Sequence, residues 1–128
     1  MNTLNFSHEA ALDAQLSPLP PFSAERGYTV VRGNPRASMR LWLGTASSDV
    51  RVGIWECTEG AFECIEFGDE LQTLVCGQLT LRYPDGSSES YGPGDSIFTR
   101  KGERVTWDIE EDVRKVFFTL NPDALVVE

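Results

Sequence analysis

Histidine is almost missing from this chain: His8 is the only one in 128 residues. Histidine-rich metal centres and Ser–His or Cys–His nucleophilic pairs therefore have almost nothing to be built from. Basic side chains are also scarce, 11 against 20 acidic ones, for a net charge of −9. A phosphate backbone or an anionic membrane is repelled by such a field, so neither nucleic acid nor membrane is expected as a partner. No apolar run approaches the roughly 20 residues that span a bilayer. The opening "MNTLNFSHEAALDAQ" lacks both the basic start and the apolar core of a secretory signal. Cys57, Cys64 and Cys76 are odd in number and form no CxxC pair. These points lead us to expect a cytoplasmic protein with free thiols, Cys57 and Cys76 being small core residues. The glycines of "GPGD" lack the strand–GxGxxG–helix setting of a phosphate loop and read as a turn. No solenoid-length repeat or low-complexity linker is present.

What the chain does have is strand pattern. The runs "YTVV", "MRLWL", "DVRVGIWEC", "AFECIEF", "LQTLVC", "QLTLRY", "SESY", "SIFT", "RVTWDI" and "VRKVFFTL" alternate apolar and polar residues. They are separated by turn signals such as "GTASSD", "PDGS", "GPGD", "RKGE" and "EED", and by the single Gly77. Many short strands at close spacing predict an all-β sandwich or barrel. Residues 1–27 are irregular. They read as an extension with one short helix in "SHEAALDAQL", capped by Ser7 and stopped by "SPLPP". We expect this extension to wrap the outside of its own domain (residues 28–128) or of a partner subunit. Trp42 is a candidate for a subunit interface, and His8 and "RKGER" for solvated surface.

The stretch "FECIEFGDELQTLVCG", Phe62–Gly77, carries the candidate chemistry. Residues two apart in a strand share a face. Cys64, Glu66 and Glu70 thus interrupt an apolar face, which Gln72, Leu74 and Cys76 continue. Carboxylates close together in a poorly hydrated cavity need protons, a cation or a ligand to compensate them. Glu66 and Glu70 are candidate acid–base residues, since a raised carboxyl pKa suits proton transfer. Glu66 has a second reading, in which loop geometry turns it outward. Lys115 is a candidate counter-charge; alternatively, Lys115 and Arg114 lie in solvent or over Trp107.

"EGAFECIEFGDELQTLVCGQLTL" followed by "YGPGDSIFTRKGERVTWDI" resembles the two sequence blocks of the cupin superfamily. With "GIWECTEGAF" and "VRKVFF", the likeness extends to small cupins similar to ureidoglycine aminohydrolase. The resemblance implies an RmlC-like double-stranded β-helix jelly-roll barrel, usually dimeric, with a ligand pocket inside. It also favours a lysine at position 115. The family's metal motif has two histidines one residue apart, then a glutamate, then a glycine. Cys64 and Glu66 stand where those histidines belong, Glu70 and Gly77 keep the glutamate and glycine, and Val105 replaces the second-block histidine. We therefore expect no metal and no cofactor. The expected pocket comprises Cys64, Glu66, Glu70, Gln72, Val105, Trp107 and Lys115, with Glu70 facing ligand and free of a structural tie. The expected protein is a homodimer that binds a small polar molecule, either without chemistry or with metal-independent acid–base chemistry. The alternatives are a hydrolase or isomerase of a small nitrogen compound, or a non-catalytic structural or regulatory dimer with a filled barrel.

Overall fold

Alternation at period two runs through most of the chain, and strands follow it. The computed structural model describes residues 3–124. A short helix α1 (His8–Asp13) precedes nine strands: β1 (Ser17–Pro18), β2 (Thr29–Gly33), β3 (Ala37–Leu43), β4 (Val50–Cys57), β5 (Gly60–Ile65), β6 (Asp69–Arg82), β7 (Ser88–Tyr91), β8 (Ser96–Thr99) and β9 (Arg104–Leu120). The breaks expected at Gly77 and at "EED" do not occur. Each falls inside one long strand, β6 or β9, and appears there as a shift of register between the two. Bulges of this kind bend a sheet without ending it. Gly77, at φ 89°, sits at the bend, where an added Cβ would lie 2.2 Å from the Asp112 carbonyl oxygen.

Strands β6 and β9 pair antiparallel along nearly their whole length and form the spine of the barrel. Beyond the bend, each half is extended by different neighbours. The C-terminal half of β9 continues into β4, β3 and β1, while its N-terminal half continues into β5 and β2. The other edge of β6 carries β8 in one half and β7 in the other. The sheet curls so that one face of both halves points inward, giving the jelly-roll barrel. Between β6 and β7, "PDGS" makes the hairpin turn, closed by Tyr83 N–H donating to Ser87 O and Gly86 N–H to Tyr83 O. "GPGD" is a turn as expected: Asp95 Oδ2 accepts from Gly92 N–H at 2.9 Å.

Two apolar clusters form on opposite faces of the sheet. Inside lie Cys57, Phe62, Leu74, Leu79, Leu81, Val105, Trp107, Ile109 and Val113. Outside, Ile54 and Val75 are covered by Ala11 of α1, with Phe6, Trp42 and Val116 packed around them. The N-terminal segment thus wraps its own domain. Ser7 Oγ caps α1 by accepting from Ala10 N–H. Arg114 holds the other end: its Nη1 donates to the carbonyls of Ala11, Leu12 and Ala14, while its guanidinium also reaches Glu56. A cation there matches the negative end of the helix. Arg114 is therefore neither free in solvent nor stacked on Trp107. Trp42 packs edge-on against Phe6 at 5.3 Å, within its own chain. Cys57 is fully buried in the core, but Cys76, displaced by the register shift, is only half-buried. Beyond the reach of α1 the outer face keeps an exposed apolar row, Phe98, Leu71 and Phe118, paired side by side.

Candidate functional site

Cross-strand rows set the inner face of the wider half of the barrel. One row runs Arg51–Thr119–Glu70–Thr99, the next Gly53–Phe117–Gln72–Ile97, and the third Met39–Trp55–Lys115–Leu74. Facing them from the other half are Cys64 beside Val105, and Phe62 beside Trp107. Between these walls is a cavity of about 450 Å³. That volume is within the range of small-molecule sites.

Lys115 is the centre of the polar floor. It is 5% exposed, and its ammonium donates to Glu70 Oε2 at 2.8 Å and to Gln72 Oε1. Its Nζ also lies 4.6 Å from the Trp55 ring centre and 4.4 Å from that of Trp107. Both readings of Lys115 hold at once, because a buried ammonium has room for carboxylate and aromatic partners on different sides. The second oxygen of Glu70 accepts from Thr119 Oγ1 at 2.7 Å, and Gln72 donates onward to Thr99. Glu70 is thus tied within the wall. The expectation that it stands free for a ligand is overturned, because a buried carboxylate is stable only when its charge is matched.

Glu66 behaves differently. It follows β5 in a short loop that is pinned to the Arg100–Glu103 turn by Glu66 N–H to Glu103 O, and by Gly102 N–H to Glu66 O. Those two bonds turn the side chain inward, where Oε1 accepts from the Trp107 indole at 2.9 Å. No cation is paired with it among the described residues. Burial pushes its carboxyl above the ordinary carboxylate range, against the smaller opposing pull of the indole N–H and of Lys115. Cys64 Sγ lies 3.9 Å from the same oxygen, and burial, reinforced by the Glu66 charge, pushes its thiol up to about 12. Cys64 is therefore a protonated, unreactive thiol at neutral pH.

The family profile of the EutQ-like cupin domain matches residues 44–117, more than half of the chain. The chain belongs to the EutQ-like cupin family. Among solved structures, this cupin resembles the EutQ protein of Clostridium difficile, with 22% identity, a TM-score of 0.60, and 70% of this chain and 71% of that one covered. A protein of unknown function of the DUF861 family from Pseudomonas syringae is 25% identical with a TM-score of 0.69, over 84% of this chain and 45% of that one. This cupin thus spans less than half of the Pseudomonas protein. A putative ethanolamine utilization protein Q from Salmonella typhimurium is 17% identical with a TM-score of 0.57, over 84% of this chain and 98% of that one. No functionally curated protein matches. The narrower likeness to ureidoglycine aminohydrolase rests on the sequence motifs alone.

The residues at the cupin ligand positions do not fit a metal here. Both Glu70 oxygens are engaged by Lys115 and Thr119, and Val105 offers no donor atom. Among the described residues no group of three or more His, Cys, Asp or Glu side chains is arranged to hold an ion. The positive charge facing Glu70 is the ammonium of Lys115.

Of the residues expected in the pocket, Cys64, Glu66, Glu70, Trp107 and Lys115 line the cavity of this cupin. Gln72 and Val105 do not: Gln72 is buried in the wall against Lys115, and Val105 is fully buried in the core. Several wall residues lay outside the expectation, among them Phe22, Arg26, Tyr28, Arg51 and Phe117. Phe22 stacks on Phe62 at 4.2 Å, so the N-terminal segment builds part of the site as well as wrapping the barrel. Arg51 was readable in principle. It shares a strand face with Trp55 and Cys57, an odd place for an arginine.

Proposed function

We propose that the barrel binds a small polar molecule with a flat apolar body, and that Glu66 exchanges a proton with it without a metal. The observation that carries this reading is the contrast between two carboxylates lining one cavity. Glu70 is matched by Lys115 and Thr119, whereas Glu66 has only neutral donors, with its carboxyl raised by burial. Such a pair divides labour: the matched acid holds the wall, and the raised one is poised to give or take a proton. A cavity of about 450 Å³ also fits poorly with a barrel filled by its own side chains. Aromatic rings of Trp55, Phe62 and Trp107 supply flat walls for the apolar body. The hydrolase or isomerase reading, on a small nitrogen compound, enters this scheme only with Glu66 as its acid or base.

The three tryptophans allow a direct test. Trp55 and Trp107 line the cavity, and Trp42 packs outside the barrel against Phe6. Titration with phenylacetamide, neutral with a polar head and a flat body, should saturably shift the indole N–H resonances of Trp55 and Trp107 and leave Trp42 in place. If no indole moves, or all three move alike, the barrel is not a binding site.

A further inference from the structure

Arg51 is 9% exposed, yet no carboxylate forms an ion pair with it among the described residues. Its Nη1 makes one long contact of 3.5 Å to the Ala46 carbonyl, and its Nε is buried with no acceptor. Glu70, across Thr119 in the same row, is already taken by Lys115 and Thr119. The Phe67 ring, 4.5 Å from Cζ, offers the guanidinium only its π face. In a chain with 20 acids and 11 bases, a buried arginine without a carboxylate among the described residues is a conspicuous omission. Burying an unmatched charge is unfavourable unless something supplies the counter-charge.

Arg51 lines the main cavity and also a smaller recess beside it, of about 170 Å³. Arg26 lines the same cavity, its guanidinium held by the Pro20 and Pro21 carbonyls and by no carboxylate among the described residues. The cavity wall therefore holds three cations, Arg26, Arg51 and Lys115, against two carboxylates, Glu66 and Glu70. One of those carboxylates is paired with Lys115, and the other is pushed by burial toward its neutral form. The missing partner is an anion brought by the ligand. A guanidinium fork suits the two oxygens of a carboxylate. A dianionic phosphate would meet stronger repulsion from Glu66 and Glu70 in the same space.

We propose that the ligand of this barrel is a small organic acid whose carboxylate pairs with Arg51 while its apolar body lies among the cavity aromatics. This deepens the binding function proposed above and rests on it. Calorimetry with phenylacetate and phenylacetamide on the full chain tests it, since the two differ chiefly in charge. Wild type should bind the acid at least about tenfold more tightly than the amide. Arg51→Met should remove that preference, so that acid and amide bind the variant equally well, and Arg51→Lys should keep part of it. Equal affinity of wild type for acid and amide overturns the Arg51 site and leaves the cavity reading standing. Failure of both compounds to bind overturns both. A preference that survives intact in Arg51→Met overturns Arg51 as its source. If Arg51→Met does not fold, the wild-type comparison and Arg51→Lys still decide.

Discussion

Replacing Lys115 with Met should cost about 3–5 kcal/mol of folding stability, the usual range for removing one partner of a buried ion pair. The ammonium is the shared partner of Glu70 and Gln72, and both sit in the barrel wall with little access to water. Methionine fills the volume between Trp55 and Trp107 but donates no hydrogen bond, so the Glu70 carboxylate is left unmatched. Adding Glu70→Gln to the Met variant removes that orphan charge and should recover a large part of the loss. Glu70→Gln alone should cost about 1–3 kcal/mol, because the Lys115 ammonium then loses its charged acceptor. Urea unfolding of the two single variants and the double variant measures the coupling. A loss below about 1 kcal/mol in Lys115→Met would mean that the wall does not depend on this charge.

Gly77→Ala should be as severe, for a backbone reason. An alanine Cβ there would lie 2.2 Å from the Asp112 carbonyl oxygen and 2.7 Å from Val113 Cα, both main-chain atoms of the neighbouring strand. The left-handed φ of 89° adds its own strain. We expect a loss of about 4 kcal/mol or more, or failure to fold. Gly86 separates the two causes: its φ is 88°, but an added Cβ meets nothing within 4 Å. Gly86→Ala should therefore cost only about 1–2 kcal/mol, the conformational part alone. Equal losses at the two sites, read by thermal or urea denaturation, would show that the β6–β9 bend is not a close approach of backbones.

Much of the fold was legible because alternation and turn chemistry are local signals. Eight of the nine strands fall on the alternating runs, β1 in "SPLPP" being the exception, and "PDGS" and "GPGD" turn where their residues require it. Two breaks were misplaced for a physical reason. Gly77 and "EED" look like turns in sequence, but pairing along the partner strand carries β6 and β9 through them as bulges. The inner face was legible from parity at Cys64, Glu70 and Lys115, and it failed past the bulge, at Cys76. The ties of Glu70 depend on which strand lies opposite, and no local pattern reports that. The wall supplied by Phe22, Arg26 and Tyr28 comes from a segment whose irregular pattern says nothing of where it packs.

Inside this cupin barrel the ammonium of Lys115 supplies the positive charge that a metal ion would otherwise bring to Glu70. Elemental analysis of the purified protein tests this. We expect no stoichiometric zinc, iron, manganese, nickel or copper, since both Glu70 oxygens are held by Lys115 and Thr119 and Val105 offers no donor. About one such ion per chain, retained through dialysis and lost together with stability in a Cys64→Ala or Glu66→Gln variant, would contradict it and would make Cys64, Glu66 and Glu70 ligands.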